Sequence, residues 1–430
     1  MQAVQSSGMQ PDEHDHIELP DRARQPYPGN RGLVLGNMSM AHGVSHSADQ
    51  GFPVLMPTIS TALGLSDFQV SVLWAFRFAG FGIVNLGGGL AVDMLKRHWG
   101  VMLTGCMLMA GLMFALTGAV PNYEILIVVV FLGSIPGALW HLPSSASLSQ
   151  IFPDRRGFAL SIHGFGANVG NVLGPVIATA MLGLLGSWRR VFFSYAAPLL
   201  LVGVVVWLTL RNVGRFGVQE RRALRTQLRD VSALIKKPVV IMLVLAATLR
   251  GIGLDAVFAW SPFYLEETLG KGHLSAGIHY SLLSGMGIVS APILGTLSDR
   301  FGRKAVLAPG FALASALALL VGVAGDGAFL VLVFAGMGLF SFALHQVIQA
   351  AVLDVAGEGT EATAVGLIFG LNGILGVASP FLAFLVIDNL GGYGSVYCYA
   401  GGLTVVAMAL VLLAPMNHER ANVPSRKLVA

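Results

Sequence analysis

Ionisable side chains lie inside long apolar segments of this 430-residue sequence. An ionised group at the centre of a bilayer costs about 2.5–3.5 kcal/mol on insertion scales, so such groups usually face a protein interior or a water-filled cavity. Because they can bind a charged solute or carry a proton, we treat them as candidates for a functional site. The set comprises His42, His46, Asp49, Arg77, His141, His163, Arg250, Asp255 and His345.

Two aspartates are candidates for carrying a proton. Asp49 and Asp255 fall in apolar segments of the two halves of the chain. A neighbouring arginine favours the ionised form of an aspartate, whereas burial favours the protonated form. A solute that competes for the arginine would therefore release the acid to take up a proton. His42 and His46 complete the predicted proton-coupling set. His141 and His345, at near-equivalent positions of the two halves, are further candidate proton sites because histidine titrates near neutral pH, and an interhelical hydrogen bond is the alternative for each.

Two arginines are candidates for binding the solute. Arg77 lies in the aromatic run 74–78, and Arg250 lies in an apolar segment of the second half. A guanidinium presents a planar fork of donors that suits carboxylate, phosphate or phosphonate groups. Pairing with Asp49 or Asp255 is the structural alternative, and the two roles are compatible if the pair exchanges during a cycle. The predicted solute-binding set is Arg77, Trp140, His141, Asn168, Arg250, His345 and Asn372.

One stripe of residues also favours a different cargo. Met38, His42 and His46 are spaced four residues apart, and Asp49 follows three residues later, so all four share one helix face. Imidazole and thioether ligands suit copper, nickel, zinc or iron(II), which makes transport of a transition-metal ion or its chelate an alternative. A polar stripe lining a cavity explains the same spacing. We expect no bound cofactor.

The elements that position these residues are membrane helices. Hydrophobic residues make up 55% of the sequence and charged residues 11%, and the mean hydropathy is +0.73. A soluble domain of this size does not have that balance. Apolar runs of about 20 residues are long enough to cross a bilayer as helices. The net charge of +4 arises mainly from basic residues in short loops, which indicates topology and not nucleic-acid binding.

The apolar segments are arranged as six, a basic linker and six. Basic residues concentrate in the loops on the linker side, so the positive-inside rule places the linker and both termini in the cytoplasm. The predicted location of the protein is the inner membrane. The predicted units are a tail over 1–32, a bundle over 33–210, the linker over 211–237, a second bundle over 238–414 and a tail over 415–430.

The two halves repeat each other at an offset of 206 residues. This offset aligns Asp49 with Asp255, and it aligns residues 89–93 with residues 295–299. Internal repeats of this kind are typical of secondary transporters, whose substrate site lies near the bilayer midplane at the interface between the repeats.

A loop in the second half, Gly295-Thr-Leu-Ser-Asp299-Arg300-Phe-Gly302-Arg303-Lys304, resembles the signature of the major facilitator superfamily. The resemblance implies a close helix approach at Gly295 and charge contacts at the cytoplasmic surface. The first-half copy of this motif is degraded, since Met94 replaces the usual arginine. We therefore expect weaker charge contacts at the first-half loop. Ordinary positive-inside flanks are the alternative. The predicted loop residues are Gly89, Asp93, Arg97, Gly295, Asp299, Arg300 and Arg303.

Segment 5 carries small residues every fourth position, at Gly166, Gly170 and Gly174, which allow close helix contact. The run 164–175 looks like an incomplete copy of the superfamily's antiporter motif, and close packing alone is the alternative. Together with the runs 41–46 and 139–145, it resembles the fosmidomycin-resistance branch of the superfamily. That kinship implies proton-driven movement of a small molecule.

The sequence therefore predicts an all-α membrane protein with twelve transmembrane helices in two pseudo-symmetric six-helix bundles. The expected function is proton-coupled secondary transport of a small anionic organic solute by alternating access, carried out by a monomer. A non-transporting membrane receptor is a further alternative. No Walker loop, dinucleotide fingerprint or hydrolase motif is present in the sequence, so we expect neither ATP-driven pumping nor enzymatic activity.

Overall fold

A computed structural model describes residues 27, 29–215, 232–234, 236–356 and 361–416. Most of the two predicted tails and the centre of the predicted linker lie outside this range. The described residues form helices, turns and loops, without a β-strand among them.

The first half consists of long helices joined by short loops. The 33-residue helix α1 ends at Gly64, which adopts a left-handed conformation with φ of 64°. The helices are α1 (Arg31–Leu63), α2 (Asp67–Met94), α3 (Trp99–Ala119), α4 (Tyr123–Ile151), α5 (Arg156–Leu185) and α6 (Trp188–Leu210), with a 3₁₀ turn over Lys96–His98.

The second half has shorter helices because three of its spans are broken. The helices are α7 (Pro238–Phe263), α8 (His273–Gly285), α9 (Gly287–Phe301), α10 (Arg303–Val321), α11 (Ala328–Ser341), α12 (Ala343–Ala356), α13 (Glu361–Gly376), α14 (Ser379–Leu390) and α15 (Ser395–Leu413), and a π-helical turn over Tyr264–Thr268 follows α7. The α13–α14 span bends by 40°. Pro380 is the second residue of α14 and cannot donate a backbone hydrogen bond, which explains that break.

The described residues account for the predicted membrane spans. Ten helical stretches are long and apolar enough to cross a membrane, and the bent α13–α14 pair makes eleven. Helix α1 is long enough to be the twelfth, and its mean hydropathy is lowered by the ionisable residues that it carries. The all-α fold with two bundles is therefore confirmed.

Helices α1 and α5 are packed with their backbones in contact. A Cβ added at Gly166 would clash with the carbonyl oxygen of Ser39, and one at Gly170 would clash with that of Gly43. A Cβ at Gly174 would meet Ser47, so three small residues of each helix, four positions apart, face one another. Lipid is as apolar as leucine, so helix association in a membrane depends on such close packing. The predicted close contact at segment 5 is confirmed.

Two of the lines along which the halves meet involve α2 and α5. On one line, α2 approaches α13, and a Cβ at Gly82 would lie 3.0 Å from the carbonyl oxygen of Gly373. On the other line, α5 lies against α8, where the Ser284 hydroxyl donates to the Asn171 carbonyl at 3.0 Å.

A further contact lies on the face where α1 ends. The Tyr393 hydroxyl of the second half donates to Asp67 of the first half at 2.9 Å and lies 3.2 Å from a carboxylate oxygen of Glu267. Burial raises the pKa of Tyr393, and the carboxylates of Asp67 and Glu267 raise it further, so the hydroxyl stays protonated as a donor. These named contacts join the halves between the centre of the helices and that face.

Replacing Gly170 with alanine should destabilise the protein. The added Cβ has no room against α1, and overpacking of this kind costs about 1–3 kcal/mol. We expect the melting temperature in detergent to fall by several degrees. Gly183→Ala in the same helix is the matched control, because a Cβ there meets no atom within 4 Å. Equal melting temperatures for the two variants would contradict the packing described above.

Candidate solute and proton site

The α1–α5 contact brings four histidines together. His42 and His46 each lie one position before a residue in that contact, so their rings reach α5 and α4. The His42 ring stacks on His163 of α5 with centroids 4.2 Å apart, and it meets the rings of His46 at 4.6 Å and His141 of α4 at 4.9 Å. We call His42, His46, His141 and His163 the histidine cluster.

Exposure varies across the histidine cluster. His42 and His163 are each 4% exposed, whereas His46 is half-buried and His141 is solvent-exposed although it lies deep in the protein. An exposed residue in the middle of α4 that contacts α1 must face an accessible space inside the molecule. We call this space the central cavity. The histidine cluster therefore runs from the interior of the first bundle to the cavity.

Asp49 and Arg77 form an ion pair between α1 and α2. The Arg77 guanidinium donates to the Asp49 carboxylate and stands 4.8 Å from the centre of the Phe52 ring. Arg77 is 8% exposed, while the Asp49 side chain is 35% exposed. The predicted alternative of intramembrane pairing therefore holds for this arginine. Aromatic rings hold the cation, and the carboxylate is the partner that solvent can reach.

The corresponding acid in the second half is arranged differently. Arg250 donates to the carbonyl oxygens of Phe340 at 2.6 Å and Ser341 at 2.5 Å, at the break between α11 and α12. Asp255 forms neither an ion pair nor a hydrogen bond with any described residue, although Arg250 is near enough for its charge to act on it. The alternative in which Arg250 pairs with Asp255 is therefore not found among the described residues. Carbonyls released by a helix break need donors in the membrane, and Arg250 supplies them.

Tyr280 of α8 is a buried residue near both acids. It is 1% exposed and within electrostatic range of Asp49, Arg77 and Asp255. Tyr280 is not among the residues predicted from the sequence, and His163 is an ionisable group to which the sequence assigns no role. The repeat offers a signal for Tyr280, because the 206-residue offset matches it to Trp74, one turn from Arg77.

The remaining predicted solute-binding residues are spread out. Trp140 is 2% exposed and its ring centre lies 6.4 Å from that of His42, so it backs the histidine cluster and does not line the cavity. The Asn372 amide packs against Gly251, next to Arg250, with its oxygen buried and without a described partner. Asn168 is half-buried on α5, and His345 of α12 lies within electrostatic range of Arg250.

The predicted metal stripe is only partly assembled. His42 and His46 are adjacent, but Asp49 is paired with Arg77, and the sulfur of Met38 faces the Ser147 hydroxyl at 3.9 Å. The described chain places His141 of α4 beside the two histidines instead. The set Met38, His42, His46 and Asp49 is therefore wrong as a single ligand group, because its members face different neighbours.

The second-half loop forms a charge network around Arg303. Arg303 pairs with Asp299 one turn earlier, donates to the Ser298 hydroxyl at 2.6 Å, and meets Asp354 of α12 at 2.8 Å. Arg300 lies over the Phe301 ring, 5.2 Å from its centre. A Cβ at Gly295 would meet no atom within 4 Å, so the close helix approach expected there is wrong.

In the first-half copy of the loop, Arg97 is exposed. The surroundings of Gly89 and the side chain of Asp93 lie outside what the structure describes.

The chain is similar in sequence to a known family of proteins. The profile of the Major Facilitator Superfamily matches residues 38–300 and 286–429. An uncharacterized MFS-type transporter, YfnC of Bacillus subtilis, is 26% identical over 91% of this chain and 93% of its own. The probable nitrate/nitrite antiporter NarK1 of Thermus thermophilus is 28% identical over 68% of this chain and 66% of its own.

Two further similarities bear on the branch and the fold. The fosmidomycin resistance protein of Escherichia coli is 22% identical over 64% of this chain and 67% of its own, so the predicted similarity to that branch is present at low identity. The crystal structure of the nucleoside transporter NupG superposes with a TM-score of 0.75 at 16% identity, covering 90% of this chain and all of that one. It shares the fold.

The predicted family is confirmed, and with it the expectation of a small-molecule transporter and not an enzyme. The chain is a multi-pass membrane protein that belongs to the Major Facilitator Superfamily.

Proposed function

We propose that this protein is a proton-coupled transporter of a small anionic solute that works by alternating access. The observation that carries the proposal is the Asp49–Arg77 ion pair, whose carboxylate is accessible while its guanidinium is buried among aromatic rings. The relative named as a probable nitrate/nitrite antiporter supports an anionic solute. We further propose the inner membrane as its location, with both termini cytoplasmic, and a monomer as the working unit.

Competition for Arg77 provides the coupling. An anion that enters from the central cavity displaces Asp49 and takes over the guanidinium. The freed carboxylate then lies in a partly buried place without its counter-charge, which favours uptake of a proton. When the anion leaves, Arg77 again favours the ionised form and Asp49 releases the proton. Binding of solute and loss of the ion pair are thus linked in one step.

Asp255 is proposed as the second proton site. It lies at the position equivalent to Asp49, is half-buried, and has no described ion-pair or hydrogen-bond partner. Tyr280 is within electrostatic range of both acids and so connects the two halves of the site. His141, exposed to the cavity within reach of the Asp49 charge, completes the polar lining.

Contacts near both faces of the protein are relevant to alternating access. The contacts of Tyr393 with Asp67 and of Ser284 with Asn171 hold the halves together on the side where α1 ends. The Arg303 network stabilises the loop between α9 and α10 on the opposite side. We propose that rocking of the bundles separates the first set of contacts and brings the loop regions of the two halves together. The predicted units 33–210 and 238–414 are the bodies that move.

Replacing Arg77 should weaken anion binding. Charge-assisted hydrogen bonds contribute about 1.5–3 kcal/mol, so Arg77→Ala should weaken binding of the transported anion by about ten- to a hundredfold. Arg77→Lys keeps the charge without the planar fork and should give an intermediate loss. A panel of nitrate, small carboxylates and phosphonates can be screened by isothermal titration calorimetry. Arg190→Ala, at an exposed arginine, is the control. Unchanged anion affinity in both Arg77 variants would refute the anion site.

Replacing Asp255 should separate solute movement from the proton gradient. Asp255→Asn cannot release a proton, so uptake into proteoliposomes driven by a pH gradient should fall at least about tenfold, while solute exchange without a gradient persists. Asp388→Asn, at an exposed loop-proximal position, is the matched control. If the variant responds to the pH gradient as the parent does, Asp255 does not carry the proton.

A further inference from the structure

Three members of the histidine cluster have the arrangement of metal ligands. One ring nitrogen of each of His42, His46 and His141 lies within 4.8 Å of those of the other two. Zinc–nitrogen bonds are about 2.0–2.1 Å long, so shifts of about an ångström in the side chains would bring the three nitrogens into one coordination sphere. Two helices supply the ligands, two from α1 and one from α4.

The hydrogen bond of His42 fixes which nitrogen is free to bind a metal. Its Nδ1 lies 3.1 Å from the carbonyl oxygen of His163, which can only accept, so Nδ1 carries the hydrogen. The lone pair then belongs to Nε2, which is buried and has no hydrogen-bond partner in the described chain. A buried acceptor without a partner is unfavourable. A cation bound at Nε2 would remove that cost.

His46 is oriented in the same way by a side chain. Its Nδ1 lies 2.8 Å from the Asn171 amide oxygen, so it donates there and presents Nε2 as the free acceptor. The Asn171 backbone carbonyl in turn accepts from Ser284 of α8. Metal-bound histidines almost always donate their second nitrogen to such a partner, which holds the ring in place. Both histidines of α1 therefore have the outer hydrogen bond that a metal ligand needs.

The position of His141 lets an ion reach the site and leaves one coordination position open. His141 faces the central cavity, so an ion reaches the two more buried imidazoles from that side. The Asp49 carboxylate stays paired with Arg77 and is therefore not among the ligands. Three protein ligands leave a fourth position toward the cavity for water or an anion, as in zinc sites that bind exchangeable ligands.

We propose that His42, His46 and His141 bind a divalent first-row transition-metal ion such as zinc, cobalt, nickel or copper. Imidazole suits these ions, whereas magnesium and calcium prefer carboxylate and carbonyl oxygen. This metal site goes beyond the proposed function, because three imidazoles bind a cation there and Arg77 takes no part in binding it.

Cobalt(II) is the probe that tests the site, because its visible absorption reports ligand number and geometry. The full chain is purified without a histidine tag and with His14→Ala and His16→Ala, which removes the histidine-rich stretch of the N-terminal segment. We expect one cobalt ion per chain with an absorption spectrum of low coordination number. His46→Ala and His141→Ala should each weaken cobalt affinity at least about tenfold, and Asn171→Ala should weaken it about ten- to a hundredfold.

His279→Ala is the matched control for the loss of a histidine. Its Nδ1 bonds to the Ser275 carbonyl of its own helix at 2.7 Å, away from the histidine cluster, so cobalt affinity should be unchanged. Absence of stoichiometric cobalt binding in the parent protein, which needs no variant to fold, would overturn the proposal. Equal affinity in the parent, His46→Ala and His141→Ala would overturn it as well. Anion binding at Arg77 is measured separately in metal-free protein, so failure of either proposal leaves the other testable.

Discussion

The backbone contact between α1 and α5 is the constraint on which the first bundle's interior depends. Gly166, Gly170 and Gly174 let the two helices approach until their main chains touch, at a register set by Ser39, Gly43 and Ser47. In a lipid environment this packing replaces the hydrophobic driving force that holds soluble helices together. The same register sets His42 beside the His163 carbonyl and His46 beside Asn171. A shift of one residue in this contact would dismantle the histidine cluster.

Equivalent positions of the two halves have different side-chain partners. In the first half, unbroken helices bring an acid, an arginine and four histidines into one interior, and Asp49 has an ionic partner. In the second half three spans are broken, and the carbonyls of Leu339, Phe340 and Ser341 near one break accept from Ser290 and Arg250. An arginine held by backbone carbonyls is not available to Asp255. The unpaired acid and the paired acid at equivalent positions are therefore a consequence of where the helices break.

Much of the fold could be predicted from the sequence, because lipid restricts the chain to helices and the positions of apolar runs are local properties. The repeat and the glycine spacing of segment 5 were likewise visible. Side-chain partnerships were harder, since they depend on the register between helices distant in sequence. Spacing alone places Asp49 in the same stripe as His42 and His46, whereas the structure brings His141 of α4 beside these two histidines. Arg250 donates to backbone carbonyls because a helix is broken beside it, and hydropathy does not reveal that break.

The central claim is that one ion pair binds the solute and controls a proton. The most direct test is calorimetry of anion binding in buffers of different ionisation enthalpy at constant pH, using nitrate or the tightest anion of the panel. If the anion displaces Asp49 from Arg77, the observed enthalpy depends on the buffer, with proton uptake approaching one per bound anion at a pH where Asp49 starts ionised. A binding enthalpy that is the same in every buffer would show that no proton is taken up and would contradict the account.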